Sequence, residues 1–158
     1  KLSARELEFM DNISINWIPS DIDSYNGSHN GENYIAYTFY IENEGKQTVN
    51  YWYSVIIDDV IKNVDEAARV MIYFNGNKSV YAKVNSYTKE PEKDTLPFFN
   101  ENTAVLEQRK DFKPGDIDKF TVVIWLEGDD EDCTDNILGG EIKMHMEIRE
   151  EYKDEESK

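Results

Sequence analysis

The feature that most constrains the fold is an Asn-Gly pair set between two runs that alternate apolar and polar residues. Residues 69–74 (RVMIYF) and 79–84 (SVYAKV) flank the segment Asn75-Gly76-Asn77-Lys78. Asn and Gly both tolerate positive φ, which the tight turn of a two-residue hairpin requires. The pattern therefore predicts an antiparallel hairpin, and a chain built from sheets rather than helices.

Similar runs predict strands along most of the chain, because apolar residues at every second position suit a half-buried strand. The predicted strands are 13–17, 34–41, 49–61, 69–74, 79–84, 104–108, 117–126 and 140–148. In the run 49–61, Tyr51, Trp52 and Tyr53 follow one another, so aromatic side chains point to both faces of that strand. One face is expected in the core, and the other is expected to lie under a loop such as 85–102 or to form an exposed platform for sugars or a protein.

Short segments between the runs predict turns. Residues 63–68 favour one helical turn, with Asn63 as its N-cap and Glu66 three residues later. Pro114-Gly115 predicts a tight turn before the run 117–126, since Pro fixes φ and Gly supplies positive φ. Residues 1–11 are expected to be a disordered lead-in, and the charged residues 150–158 a disordered tail.

The strands do not alternate with long amphipathic helices, which argues against a parallel α/β sheet. The sequence predicts an all-β fold, an antiparallel two-sheet β-sandwich with jelly-roll-like or Greek-key connections and a short helical turn. At 158 residues the chain is expected to be a single domain, 1–158.

The charge balance is strongly acidic. The chain has 17 Lys and Arg against 33 Asp and Glu, a net charge of −16. A field of that sign repels phosphate backbones and anionic lipids, so no nucleic-acid partner is expected. No apolar run approaches the roughly 18–20 residues of a membrane span, so no membrane insertion is expected either. The chain starts at Lys1 without an initiator Met, and we expect that an upstream segment has been removed.

Motifs for catalysis are not found in the sequence. There are two histidines, His29 and His145, and one cysteine, Cys133, without a zinc-protease, nucleophile-elbow or phosphate-loop pattern around them. Adjacent carboxylates such as Asp58-Asp59 point to opposite faces of a strand, which does not suit paired acid–base chemistry. The sequence therefore predicts a protein that is not an enzyme.

Calcium is the cofactor with the best support, since it binds carboxylate, amide and carbonyl oxygens of acidic loops. The loop 127–136 (EGDDEDCTDN) offers Asp129, Asp130, Asp132 and Asp135 as candidate Ca²⁺ ligands. The alternative is a solvated acidic loop without a metal.

The stretch 113–146 (KPGDIDKFTVVIWLEGDDEDCTDNILGGEIKMHM) resembles the C-terminal signature of small exported proteins of Gram-positive bacteria. These proteins travel with a dedicated SipW-type signal peptidase, and the broader set includes TasA and camelysin-like proteins. Residues 69–73 and 80–83 are similar to the mid-chain pattern of that set. The resemblance implies export with removal of a signal peptide, a jelly-roll-like sandwich, and a role in cell-surface or biofilm-matrix assembly.

The resemblance also implies a mode of action. TasA-like proteins polymerise by donating a strand to a neighbour's sheet edge, and here 13–17 would be the donor. Camelysin-like proteins are described as metalloproteases, but this chain has no zinc helix, so that activity does not carry over. We expect a secreted or cell-surface protein that acts through protein–protein contacts. The alternatives are a calcium- or carbohydrate-binding β-sandwich module and, third, a hydrolase.

Overall fold

The computed structural model describes residues 5–6, 13–128, 130, 133 and 141–151. Within this part of the chain the only helices are short 3₁₀ turns at Ile15–Trp17, Ile22–Ser24 and Val64–Glu66. The strands are β1 (Arg5–Glu6), β2 (Gly27–Ser28), β3 (Ile35–Glu42), β4 (Val49–Ile61), β5 (Ala68–Phe74), β6 (Asn77–Ala82), β7 (Leu96–Pro97), β8 (Thr103–Phe112), β9 (Ile117–Leu126) and β10 (Glu141–Glu151). None of the described helices has the length and apolar character needed to cross a membrane.

The strands form two sheets. The four-stranded sheet has the order β1-β10-β4-β8, and the six-stranded sheet has the order β2-β3-β9-β5-β6-β7. All neighbouring strands are antiparallel except β6 and β7, which are parallel. Most connections between long strands cross from one sheet to the other. The predicted all-β, antiparallel two-sheet sandwich is confirmed.

The inner faces of the two sheets enclose the main hydrophobic core. Alternation along β4 buries one set of its side chains in this core, as the sequence pattern predicts: Tyr51, Tyr53, Val55 and Ile57. The ring of Phe120 on β9 lies at the centre, 4.9 Å from the ring of Tyr53 and stacked 5.1 Å from that of Phe39. Each such pair contributes about 0.5–1.5 kcal/mol beyond the area it buries.

A second hydrophobic cluster lies on the outer face of the six-stranded sheet. Ile13 and Ile22, which precede β3, are buried against Met71, Val123 and Trp125 of the sheet. The chain before β3 therefore covers this face, and the central strands of the sheet are buried on both sides. That explains why β9 is the most apolar strand in the sequence.

The prediction of a strand at 13–17 is wrong. Ile13 makes a single parallel bridge with Glu127, and Ile15–Trp17 form a 3₁₀ turn. The hydroxyl of Ser14 accepts a hydrogen bond from the N–H of Asn16 at 3.1 Å, and such local bonds compete with strand pairing.

The predicted turns are confirmed where glycine determines them. Asn75 and Gly76 have φ of 50° and 87°, and Gly115 has φ of 88°. The predicted helical turn is present as the 3₁₀ turn Val64–Glu66 with Asn63 at its N-cap position, but Asn63 adopts a left-handed conformation and its side chain makes no capping hydrogen bond. The carboxylate of Glu66 pairs instead with Lys83 at 2.9 Å.

Two strands are longer than predicted. β8 continues through Phe112, and β10 continues through Glu151, so Glu150 and Glu151 lie in a strand rather than in the tail. Within the predicted lead-in, Arg5–Glu6 pair with β10 as β1.

Candidate functional site

The proposed calcium ligands are only partly within the described structure. Asp129, Asp132 and Asp135 lie outside the described residues. Asp130 is buried, and its Oδ2 lies 2.9 Å from Nη1 of Arg69. A guanidinium therefore already neutralises this carboxylate. Among the residues that the structure describes, no group of three or more His, Cys, Asp and Glu side chains is placed to hold a metal. The calcium site stays a prediction.

The first residue of the acidic loop has a structural task that the sequence did not reveal. The carboxylate of Glu127 accepts hydrogen bonds from the N–H of Ile15 and from Nε1 of Trp125, both at 3.0 Å. It joins the covering segment to the sheet beneath. An exposed acidic loop and a buried anchor look alike in the sequence, because Ile15, the partner in the covering segment, lies far from Glu127 along the chain.

The thiol of Cys133 lies in an acidic environment. Burial raises its pKa, and the nearby carboxylates of Asp130 and Glu127 raise it further, while Arg69 opposes them. The thiolate is the reactive form of cysteine, so this environment disfavours nucleophilic reactivity.

Asp118 bridges the two sheets and is almost fully buried. Its carboxylate accepts hydrogen bonds from Arg109 Nε at 2.8 Å, from the hydroxyl of Tyr51 at 2.6 Å and from Asn75 Nδ2 at 3.0 Å. Burial opposes its ionisation, but these donors outweigh burial and hold its pKa below the ordinary value. The network has the form of a structural bridge, since its donors converge on one carboxylate inside the sandwich.

His145 lies between two carboxylates on the outer face of the four-stranded sheet. Its Nδ1 is 2.7 Å from Oδ2 of Asp58, and its Nε2 is 2.8 Å from Oε2 of Glu147. A shift of register between β4 and β10 leaves Asp58 as an extra residue at this point. Both contacts raise the pKa of His145, because both ring nitrogens donate only in the imidazolium form.

His29 belongs to a hydrogen-bond chain on the outer face of the six-stranded sheet. Thr121 donates to Asp23 at 2.6 Å, so the hydroxyl of Thr38, 2.7 Å away, donates to Thr121. His29 Nε2, 2.8 Å from Thr38, then has to carry the proton. Burial lowers the pKa of His29. The chain fastens the segment before β3 onto β3 and β9.

The outer face of the four-stranded sheet contains a groove of about 490 Å³. It is lined by residues of β4, β8 and β10: Trp52, Ser54, Ile56, Thr103, Leu106, Glu147, Arg149, Glu150 and Glu151. All of these belong to the sheet itself, so no described segment outside the sheet forms a wall of the groove. The sequence left two alternatives for the face of β4 that lies outside the core, a covering loop or an exposed aromatic platform. Trp52 on that face lines an open groove.

The edges of the two sheets also differ. The six-stranded sheet ends in β2 and β7, which have two residues each, and β7 contains Pro97. The four-stranded sheet has β8, with ten residues, at one edge, and β10, with eleven, next to the two-residue β1 at the other. Along β8 the sequence EQRKD and a register shift near Asp111, which has φ of 57°, discourage pairing with another strand.

Comparison with known proteins adds no family to this picture. No protein-family model matches the chain, and no curated protein matches it significantly. The resemblance of residues 113–146 to SipW-dependent exported proteins therefore stays an expectation.

Proposed function

We propose that this is a non-enzymatic exported protein of the cell surface or matrix, which acts by contacts with other proteins through its four-stranded sheet. The observation that carries the proposal is the edge of β10. This strand has eleven residues, and β1 pairs with only Lys143 and Met144. Beyond these two residues no described strand pairs with this edge of β10, and a free edge offers backbone N–H and C=O groups to a strand of another chain, which is the basis of β-augmentation.

Internal use of charged and polar groups supports a non-enzymatic role. Asp118, Arg109 and Tyr51 are engaged with one another, and Asp130 is paired with Arg69. Glu127 anchors the covering segment. Among the described residues, most buried charged side chains thus make structural contacts of this kind. The exported location is supported by the resemblance of residues 113–146, and fractionation of producing cells with an antibody tests it.

The donor strand in this proposal differs from the one that the sequence suggested. Ile13 is buried and Ile15–Trp17 form a 3₁₀ turn, so 13–17 is part of the domain rather than a free strand. Arg5–Glu6 already lie against β10. We propose that the segment around Arg5–Glu6 of one copy adds to β10 of another copy, or that a second surface protein supplies the strand.

Deletion of residues 1–12 tests this proposal and leaves Ile13 in place. Sedimentation velocity over a range of protein concentrations should show assemblies for the full chain and monomers for the deletion variant. The matched control is Trp17→Ser, which removes a large side chain that is 71% exposed outside β10 and should leave assembly unchanged. Identical assembly of the full chain and the deletion variant under all conditions would refute donation of the strand by a second copy.

A further inference from the structure

The groove on the four-stranded sheet arises from one small residue in the middle of an outward row of side chains. Trp52, Ser54 and Ile56 lie on the same face of β4, because alternate residues of a strand share a face. The cross-strand partners of Ser54 are Leu106 on β8 and Glu147 on β10. Ser54 therefore forms the floor of the groove. Its walls are formed by the apolar side chains of Trp52, Ile56 and Leu106 and by the carboxylate of Glu147.

Charges around the groove have a net negative sign. Its lining residues include Glu147, Glu150 and Glu151 and one basic residue, Arg149. Their formal charges give 1 − 3 = −2. Glu147 contacts His145 and lies 3.9 Å from Nη2 of Arg149, and Glu151 Oε1 accepts from Gln108 Nε2 at 2.7 Å. The wall formed by β10 therefore attracts cations.

A lysine or arginine side chain combines the two chemistries of this groove. Its aliphatic stem is suited to the apolar walls, and its charged end can reach carboxylates while the stem stays buried. A cation near the face of a tryptophan is attracted by the ring, and more strongly when it is desolvated. We propose that the groove is a docking site for a basic segment of a partner protein, with a Lys or Arg side chain seated above Ser54.

Other occupants use only part of this surface. A neutral sugar ring could stack on Trp52 but would gain nothing from the surrounding carboxylates. An anionic polymer is repelled by them. A second copy of this acidic chain, held at β10 by backbone hydrogen bonds in the proposed strand addition, gains nothing from these carboxylates with its net charge of −16. Charge complementarity therefore selects a cationic protein. The inference rests on the proposed function in that the occupant is a protein, but it does not require strand addition at β10.

Indole resonances of the three tryptophans give a direct readout. The probe is a peptide of alternating lysine and leucine, titrated into ¹⁵N-labelled protein, with resonances assigned from Trp→Phe variants. The signal of Trp52 should shift. The signals of the fully buried Trp125 and of Trp17, which is 71% exposed outside the groove, should not, and Trp17 thereby controls for unspecific attachment to aromatic surface.

Three variants separate the contributions of shape and charge. Ser54→Phe fills the groove and should weaken binding of the peptide at least about tenfold. The double variant Glu150→Lys/Glu151→Lys reverses the charge at two exposed positions and should weaken binding by a similar factor. Arg149→Glu removes the basic side chain, which is 79% exposed, and should strengthen binding several-fold. Binding should weaken as the NaCl concentration rises from about 0.05 M to about 0.5 M.

Two results would overturn the proposal. One is a Trp52 signal that does not move with the basic peptide, and the other is a tighter response to neutral oligosaccharides, such as chito-oligosaccharides, than to the peptide. Sedimentation velocity on the same samples reports assembly independently. Loss of peptide binding with assembly intact refutes the docking site alone, whereas absence of assembly together with a shifted Trp52 signal refutes strand addition alone.

Discussion

The outer faces of the two sheets differ in how far the described residues cover them. On the six-stranded sheet, Ile13 and Ile22 cover Trp125 and its neighbours. On the four-stranded sheet, Trp52 and Ile56 line a groove in which no described residue outside the sheet takes part, and β1 pairs with only two residues of β10. Among the described residues, the chain therefore covers the outer face of one sheet and not that of the other, and for this reason we propose the four-stranded side as the interaction surface.

The largest expected difference between the sheets is in the free energy of unfolding that is lost when an isoleucine on each outer face is replaced by alanine. Ile22 is 1% exposed in the second cluster, so Ile22→Ala should lower the free energy of unfolding by about 2–4 kcal/mol. Ile56 lies in the open groove, so Ile56→Ala should cost less than about 1 kcal/mol. Urea unfolding measures both. Equal costs would mean that the groove is closed in solution and would remove the contrast.

A smaller effect should distinguish the two histidines by the sign of their response to pH. Asp58 and Glu147 raise the pKa of His145, so the folded protein holds its proton more tightly than the unfolded chain, where the pKa is about 6.5. This stabilisation is fully present below about pH 6.5 and is lost as pH rises through the raised folded pKa. His145→Gln should therefore lower stability at about pH 6 more than at about pH 8.

His29 should behave in the opposite way. Burial lowers its pKa, while Asp23 opposes and Lys119 reinforces that shift. The unfolded chain then binds the proton more tightly, so His29 reduces stability as pH falls below about 6.5. In His29→Gln the amide can still donate to Thr38, and this variant should lose less stability than the wild type between about pH 6.5 and pH 5. Urea midpoints between about pH 5 and pH 8 check both variants, and a pH dependence equal to that of the wild type would contradict the assignment.

Much of the fold follows from local patterns in the sequence. The bounds of β4 and β9 match the predicted runs 49–61 and 117–126, because both are long apolar stretches bounded by turn residues. The hairpin turn follows from the φ requirements of Asn75 and Gly76. The run 13–17 has a similar alternating pattern, but a local hydrogen bond of Ser14 and burial against the sheet make it a 3₁₀ turn.

The candidate surface could not be derived in the same way. Alternation along the strand predicted that Trp52 faces away from Tyr51 and Tyr53, but Leu106 and Glu147 reach Ser54 only through pairing of β4 with β8 and β10. That register depends on contacts between residues about 50 and 90 positions apart. The loop that contains Glu127 and Asp130 was expected to be solvated or to bind a metal, because Ile15 and Arg69, which hold these two carboxylates, lie far away along the chain.

The central claim is that the four-stranded sheet, and not the six-stranded one, meets other proteins. Amide hydrogen exchange of the full chain tests this claim at low concentration and at a high concentration at which we expect assemblies. Strand addition predicts added protection in β10 beyond Met144, with β2 and β7 unchanged. Added protection in β2 or β7, with β10 unaltered, would contradict it.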